Sequence, residues 1–362
     1  MSRGQARPAV SFAPGVRERV SLLIGLGGGT GSGKTYSALA LATGLAGGPC
    51  TCKPTARCTC GRRFAVSDSE ARRALHYAPR KGQTELEPGQ FLFDHSELVA
   101  PFRPATYQDA IIAADAAHYP VVVVDSASHE WEGEGGMLEW QDEELDRMAG
   151  QDWDKRERCK MAAWVAPKMA HRKMVNRLLQ LRSHLILCFR AEEKIEMARG
   201  KDGKLEIQPK KTRTGLGGWV PICEKRLPFE LTASFLLTEV EPGIPKPIKL
   251  EAQHRQFVDL TKPLDERVGA AFARWAAGDA PLPRRNDPAP AAASGKPAKA
   301  YNPDELVKRY AGCGRIEYEE LEARRRELWA KLSAPDKRRL KQAADGAVER
   351  ITENEGKQLE LS

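Results

Sequence analysis

Short apolar runs and amphipathic stretches alternate along the first three quarters of the chain. Residues 20–26 are mostly apolar and end in glycines, and an Ala/Leu-rich stretch over 34–45 follows at once. That order predicts a strand, a glycine loop and a helix. Similar runs at 64–67, 91–93, 121–124 and 184–189 predict further strands, separated by helical segments such as 107–117. Strands that alternate with helices imply a largely parallel sheet covered on both faces.

After Phe189 the pattern changes. Residues 194–197 and 205–207 flank Asp202-Gly203, a hairpin turn signal, and 230–238 reads as another strand, so an antiparallel extension is expected to follow the parallel core. Residues 263–277 predict a last helix. In the segment 155–182, Met161, Val165, Met169, Val175 and Leu179 recur at helical spacing, with Pro167 expected to break or kink it.

Composition then divides the chain. Residues 279–300 hold five prolines and seven alanines, which cannot pack a core and read as a linker. Residues 1–19 form an N-terminal extension, 20–278 an α/β core, and 301–362 a small helical module built on 306–310, 318–332 and 335–351, with Leu321, Leu328 and Leu332 as its apolar positions. No apolar run approaches the roughly 18 residues of a membrane span, and the polar N-terminus lacks an apolar signal core. The expectation is a cytoplasmic protein without membrane contact.

The chemistry starts at the first loop. Gly28-Gly29-Thr30-Gly31-Ser32-Gly33-Lys34-Thr35 fits G-x-x-x-x-G-K-[ST] between a predicted strand and helix, the placement that lets backbone N–H groups wrap phosphates. Lys34 would reach the outer phosphates of ATP, the Thr35 hydroxyl would ligate Mg²⁺, and Tyr36 lies next in line to touch the nucleotide. Asp125 ends a run of four valines, where a buried strand delivers a carboxylate to the metal's water shell. Glu70 follows the second predicted strand, positioned to orient or deprotonate a water.

At these residues the sequence resembles the RecA-type ATPases, through Asp68-Ser69-Glu70 and Asp125-Ser126. Over 20–277, with 110–134 and 184–195 contributing, it looks like a phage-encoded AAA-family, RecA-like ATP-binding protein of the class associated with single-strand annealing. The resemblance implies a RecA-like P-loop NTPase core with a mostly parallel sheet, ATP hydrolysis on Glu70, Lys34 and Asp125, and a task in recombination or replication on single-stranded DNA. It also implies a homo-oligomer, ring or filament, in which Lys225 or Arg226 could complete a neighbouring site. RecA proteins carry a Gln sensor where this chain has Arg190, which could touch the γ-phosphate or pair with a nearby acid. The competing reading is a non-hydrolytic protein whose assembly ATP controls and whose C-terminal helices recruit a partner.

Charge bears on the DNA question. The net charge is +8, and residues 155–182 alone carry nine Lys/Arg against one acid. Residues 194–214 carry seven basic and three acidic residues, so Lys201, Lys204, Lys210, Lys211 and Arg213 are the candidate phosphate contacts. Residues 129–146 hold eight acids and no Lys or Arg, which argues against phosphate contact there, while Trp131 and Trp140 could stack on bases, pack in the core or meet another subunit.

Four of the eight cysteines fall in the paired C-x-C arrangement Cys50, Cys52, Cys58 and Cys60, and the resemblance implies that 48–62 is an insertion, since the family passes directly from helix to strand there. Four thiolates suffice for a tetrahedral structural Zn²⁺, while a redox or disulfide pair and free thiols are the alternatives.

Overall fold

The computed structural model describes residues 19–54, 56–199, 205–212, 216–278, 307–308, 310–311, 321 and 334–360. The elements run β1 (Leu23–Gly28), α1 (Lys34–Leu45), β2 (Phe64–Asp68), a 3₁₀ turn (Arg73–Tyr77), β3 (Phe93–Glu97), α2 (Pro104–Ala116) and β4 (Val121–Asp125). Four helices follow, α3 (His129–Glu132), α4 (Met137–Ala149), α5 (Trp153–Ala163) and α6 (Val165–Leu178), then β5 (His184–Glu193), β6 (Ile195–Arg199), β7 (Leu205–Pro209) and β8 (Trp219–Pro221). The core closes with α7 (Leu227–Glu230), β9 (Ala233–Leu237), β10 (Lys246–Lys249), α8 (Ala252–Arg255) and α9 (Glu266–Ala276); α10 (Ala334–Glu360) belongs to a second unit.

The sheet has the order β10-β9-β1-β5-β4-β2-β3 and is parallel from β9 to β3, with β10 antiparallel on β9 and β8 antiparallel on the far end of β5. Alternate residues of its central strands enter opposite layers. Ile24, Leu26, Val121, Val123 and Ile186 pack toward α1 and α9, while Leu23, Val122, Val124, Leu185 and Leu187 pack toward α2 and α6. Both faces are buried, which is why these strands read as continuous apolar runs without alternation.

Three local expectations change. The third strand starts at Phe93 and continues through Asp94, His95, Ser96 and Glu97. It is an edge strand held by backbone pairing to β2, and beyond Phe93 its partly exposed side chains carry no apolar signal. Residues 230–238 split into the end of α7 and the buried β9, which joins the parallel sheet beside β1 instead of an antiparallel extension. The helix break in 155–182 falls at Trp164, not at Pro167, which sits in the first turn of α6 where its missing N–H has no intrahelical partner to lose.

The chain divides into two compact units, 1–290 and 291–362. In the second, Tyr310, Leu321, Leu340, Ala344 and Ala347 form a small apolar cluster, and the Arg350 guanidinium donates to the Tyr310 carbonyl at 2.7 Å. Leu328 and Leu332 lie outside the described residues. No helix among the described residues is long and apolar enough to cross a membrane.

Candidate functional site

The carboxyl ends of the parallel strands converge on one cleft of about 560 Å³, the usual place for a ligand on an open α/β sheet. Register explains the convergence: Gly28 at the end of β1 lies opposite Arg190 of β5, and Asp68 at the end of β2 lies opposite Asp125 of β4. The lining comprises Gly28, Gly29, Thr30, Gly31, Ser32, Gly33, Lys34 and Thr35 together with Glu70, Asp125 and Arg190. Gly28 and Arg190, far apart in sequence, thus meet in a single site.

The loop turns on glycine. Gly33 sits at φ 81 and ψ 14 as the N-cap of α1, a left-handed conformation that other residues rarely adopt. The helix N-terminus behind it favours an anion. Lys34 Nζ donates to the carbonyls of Gly28 (2.8 Å) and Gly29 (2.7 Å). Burial lowers its pKa, although Cys188, Asp125 and Glu70 act the other way.

Thr35 Oγ1 donates to Asp125 Oδ2 at 2.6 Å, which joins helix α1 to the end of β4. Asp125 is 3% exposed, and burial raises its pKa against the opposing hydrogen bond from Thr35. The Ser69 N–H donates to the Asp125 carbonyl at 2.8 Å, and the Ser126 N–H donates to Ser69 Oγ at 3.0 Å, so the ends of β2 and β4 are laced together. Asp68, fully buried, accepts from the backbone N–H groups of Glu70 (2.7 Å) and Ala74 (2.9 Å) and thereby fixes the turn that carries Glu70.

Glu70 is engaged on both oxygens. Arg190 Nε donates to Oε1 at 2.8 Å and a terminal nitrogen donates to Oε2 at 3.1 Å, a two-pronged pair in the cleft. Burial alone would raise the Glu70 pKa, but the guanidinium hydrogen bonds and charge outweigh it and hold the carboxyl below its usual value. Arg190 also lies 3.8 Å from Glu132. Its backbone N–H donates to Ser128 Oγ (2.8 Å), which in turn donates to the Ile222 carbonyl (2.7 Å).

Arg73, Tyr77, Glu132, Ala191 and Ile222 line the cleft without having been singled out in the sequence. Arg73 and Tyr77 come from the 3₁₀ turn after Glu70, and proximity to Glu70 was the available signal. Tyr36 does not line the cleft; its ring leans edge-on against Tyr77 at 5.8 Å and Phe91 at 5.3 Å. Among the basic candidates, Lys210 lines a second cleft with Lys225, Lys211 is exposed, and Lys201, Lys204 and Arg213 lie outside the described residues. Arg226 is exposed and its N–H donates to Glu224. Trp131 stacks on Trp164, and Trp140 lies under the Arg103 guanidinium at 4.5 Å.

The four cysteines come together. The Sγ atoms of Cys50, Cys52, Cys58 and Cys60 all lie within 4.8 Å of one another, with separations of 3.4 Å (Cys50–Cys60), 3.6 Å (Cys58–Cys60), 3.8 Å (Cys50–Cys58) and 4.0 Å (Cys52–Cys58). Four sulfurs at Zn–S distances of about 2.3 Å around a tetrahedral ion stand about 3.8 Å apart, so this group could bind a structural metal such as zinc. Burial pushes Cys50 up to about 12. Cys60 falls to about 5 despite its own burial, through backbone hydrogen bonds from Arg62 and Thr51 and the adjoining thiols. Arg63, 6% exposed, donates to the carbonyls of Ala56 (2.8 Å) and Lys53 (3.1 Å) and pairs with Asp94 (3.4 Å), which ties the cysteine loop to β2 and β3. No protein-family model matches the chain, and no curated protein matches it.

Proposed function

We propose that the chain is a P-loop ATPase with a RecA-like core that acts on single-stranded DNA in phage-type recombination or replication. The observation that carries the reading is the meeting in one cleft of the loop 28–35, the Thr35–Asp125 contact and Glu70. Lys34 and the loop amides would hold the outer phosphates of ATP, and Thr35 with Asp125 offers the hard oxygen donors that suit Mg²⁺. The ion would supply charge neutralisation on the phosphates. Glu70 would orient and deprotonate the attacking water once Arg190 releases it, and Arg190, already in the cleft, would be free to meet phosphate charge. The Cys₄ group would hold a structural zinc that stiffens the loop between α1 and β2.

The double engagement of Glu70 by Arg190 favours a second reading, in which ATP binds and controls assembly without turnover. ATP turnover measured with and without single-stranded DNA, beside a Glu70→Gln variant, separates the two. DNA-stimulated turnover that the variant loses by about 100-fold or more supports the ATPase. Nucleotide binding with no turnover in either protein supports the second reading, and absence of nucleotide binding overturns both.

A further inference from the structure

Glu70 has a second neighbour besides Arg190. His129, the first residue of α3, places Nε2 4.0 Å from Glu70 Oε1, the same oxygen to which Arg190 Nε donates at 2.8 Å. Its other ring nitrogen, Nδ1, stands 2.8 Å from Ser69 Oγ, and its ring packs on Phe102 with centroids 5.1 Å apart.

The hydrogen bonds around Ser69 fix the tautomer of this ring. A serine hydroxyl has one hydrogen and two lone pairs. Ser69 donates its hydrogen to the Ser126 carbonyl at 2.9 Å and accepts the Ser126 N–H at 3.0 Å, which leaves one lone pair for His129. The Tyr107 hydroxyl donates to the other side of the Ser126 carbonyl at 3.0 Å, so every group in the cluster is satisfied. Nδ1 therefore carries the hydrogen, and Nε2 turns a bare lone pair toward Glu70. A lone pair gains nothing from an ionised carboxylate already paired with Arg190, which accounts for the 4.0 Å gap. It becomes an acceptor once the carboxyl holds a proton.

We propose that His129 is the positioning residue behind Glu70: when Arg190 turns to the phosphates, Nε2 holds the Glu70 carboxyl and takes from it the proton of the attacking water. The proposal rests on the ATPase reading above. The water oxygen bonds to the γ-phosphorus as its O–H bond breaks and Glu70 Oε1 gains the proton, and ADP leaves with the electron pair of the broken P–O bond. The Oε1–H bond then breaks as Nε2–H forms, and the ring returns the proton to solvent, so Glu70 is ready for the next turnover. The charged groups acting on the ring are Glu70, from the turn after β2, and Arg190, from β5, while the chain before α2 faces it with the apolar Phe102. On α3 itself, Glu130 is engaged by His171 and Glu132 lies 3.8 Å from Arg190. Burial and the Arg190 charge lower the His129 pKa against the pull of Glu70, so the ring is neutral at neutral pH and free to accept.

ATP turnover by the full chain, measured from about pH 5 to about pH 8, tests the role. The wild-type kcat is expected to fall on the acid side with a midpoint below the ordinary histidine value of 6.5, because a ring already protonated on Nε2 cannot accept. His129→Asn, whose amide can still donate to Ser69, is expected to lower kcat about tenfold or more with KM changed by less than about twofold, and to move the acid limb down into the carboxylate range. Nitrogen NMR of labelled histidines, with His129 assigned by the signal missing from His129→Asn or His129→Gln, is expected to show the Nδ1–H tautomer without any turnover. Should neither variant fold, the wild-type acid limb decides, and a midpoint in the carboxylate range overturns the proposal. Unchanged kcat and acid limb in His129→Asn, with the wild type turning ATP over, overturn it and leave the ATPase reading standing. A slowed variant whose acid limb stays in place marks His129 as a strut for Ser69 and also overturns it, as does the Nε2–H tautomer. A wild-type chain that binds ATP without turnover refutes both.

Discussion

Replacing Gly44 by alanine is expected to destabilise the core by about 2 kcal/mol or more, although alanine is the better helix former. Gly44 lies in α1 where the helix crosses α9, and a Cβ there would stand 2.0 Å from the Glu266 carbonyl oxygen and 2.7 Å from the Ala270 nitrogen. On the facing helix, a Cβ at Gly269 would stand 2.2 Å from the Leu41 carbonyl oxygen. Carbon and oxygen approach to about 3.3 Å, so the helices would have to part by roughly 1 Å. The obstacles are backbone atoms, which no rotamer change relieves. Parting them loosens Leu41, Leu45, Phe272 and Ala276, which pack in the same layer. Overpacking of this kind costs about 3 kcal/mol at the upper end of its usual range, and alanine returns about 1 kcal/mol of helix propensity. Urea unfolding followed by tryptophan fluorescence measures the difference as a shift in midpoint at constant slope. Gly346→Ala is the matched control: its Cβ would meet the flexible Arg350 guanidinium at 3.6 Å, and the α10 helix is expected to gain up to about 1 kcal/mol. A Gly44→Ala protein as stable as the parent would refute the close-crossing argument.

Two further outcomes follow from the cysteines and from a buried histidine. Protein purified without added metal is expected to carry about one zinc per chain, lost in Cys60→Ser; elemental analysis showing none, with four freely titrating thiols, rejects the site. His184 is buried and its Nδ1 accepts the Leu22 N–H at 3.1 Å, and burial pushes its pKa down to about 4. The unfolded chain takes up a proton near pH 6.5 while the folded chain does not, so this group's contribution is present above about pH 6.5 and is lost as pH falls toward about 4. The loss reaches about 3 kcal/mol at most and is read as a falling urea midpoint between pH 7 and pH 4.5, diminished in His184→Gln.

The sequence by itself determined the parts whose physics is local. Four consecutive valines ending in Asp125 marked a strand buried on both faces, and the spacing of glycines before Lys34 marked a loop opening a helix, because hydrophobic periodicity and backbone freedom are properties of neighbouring residues. The paired C-x-C arrangement likewise placed four sulfurs within reach of one another, since a short loop confines them. The edge strand 93–97 escaped because its pairing is through the backbone, which every sequence possesses. Beyond that, long-range register decided the rest. Asp68 faces Asp125 and Gly28 faces Arg190 because of strand order, and only that order brings Arg190 onto Glu70 across 120 residues. The close crossing of α1 and α9 rests on Gly44 and Gly269, which no local pattern pairs, and only packing sets Trp131 on Trp164 with Lys168 over the Trp164 ring. Side-chain neighbours from distant segments are fixed by packing a whole sheet and its helices, a constraint that no window of the chain contains.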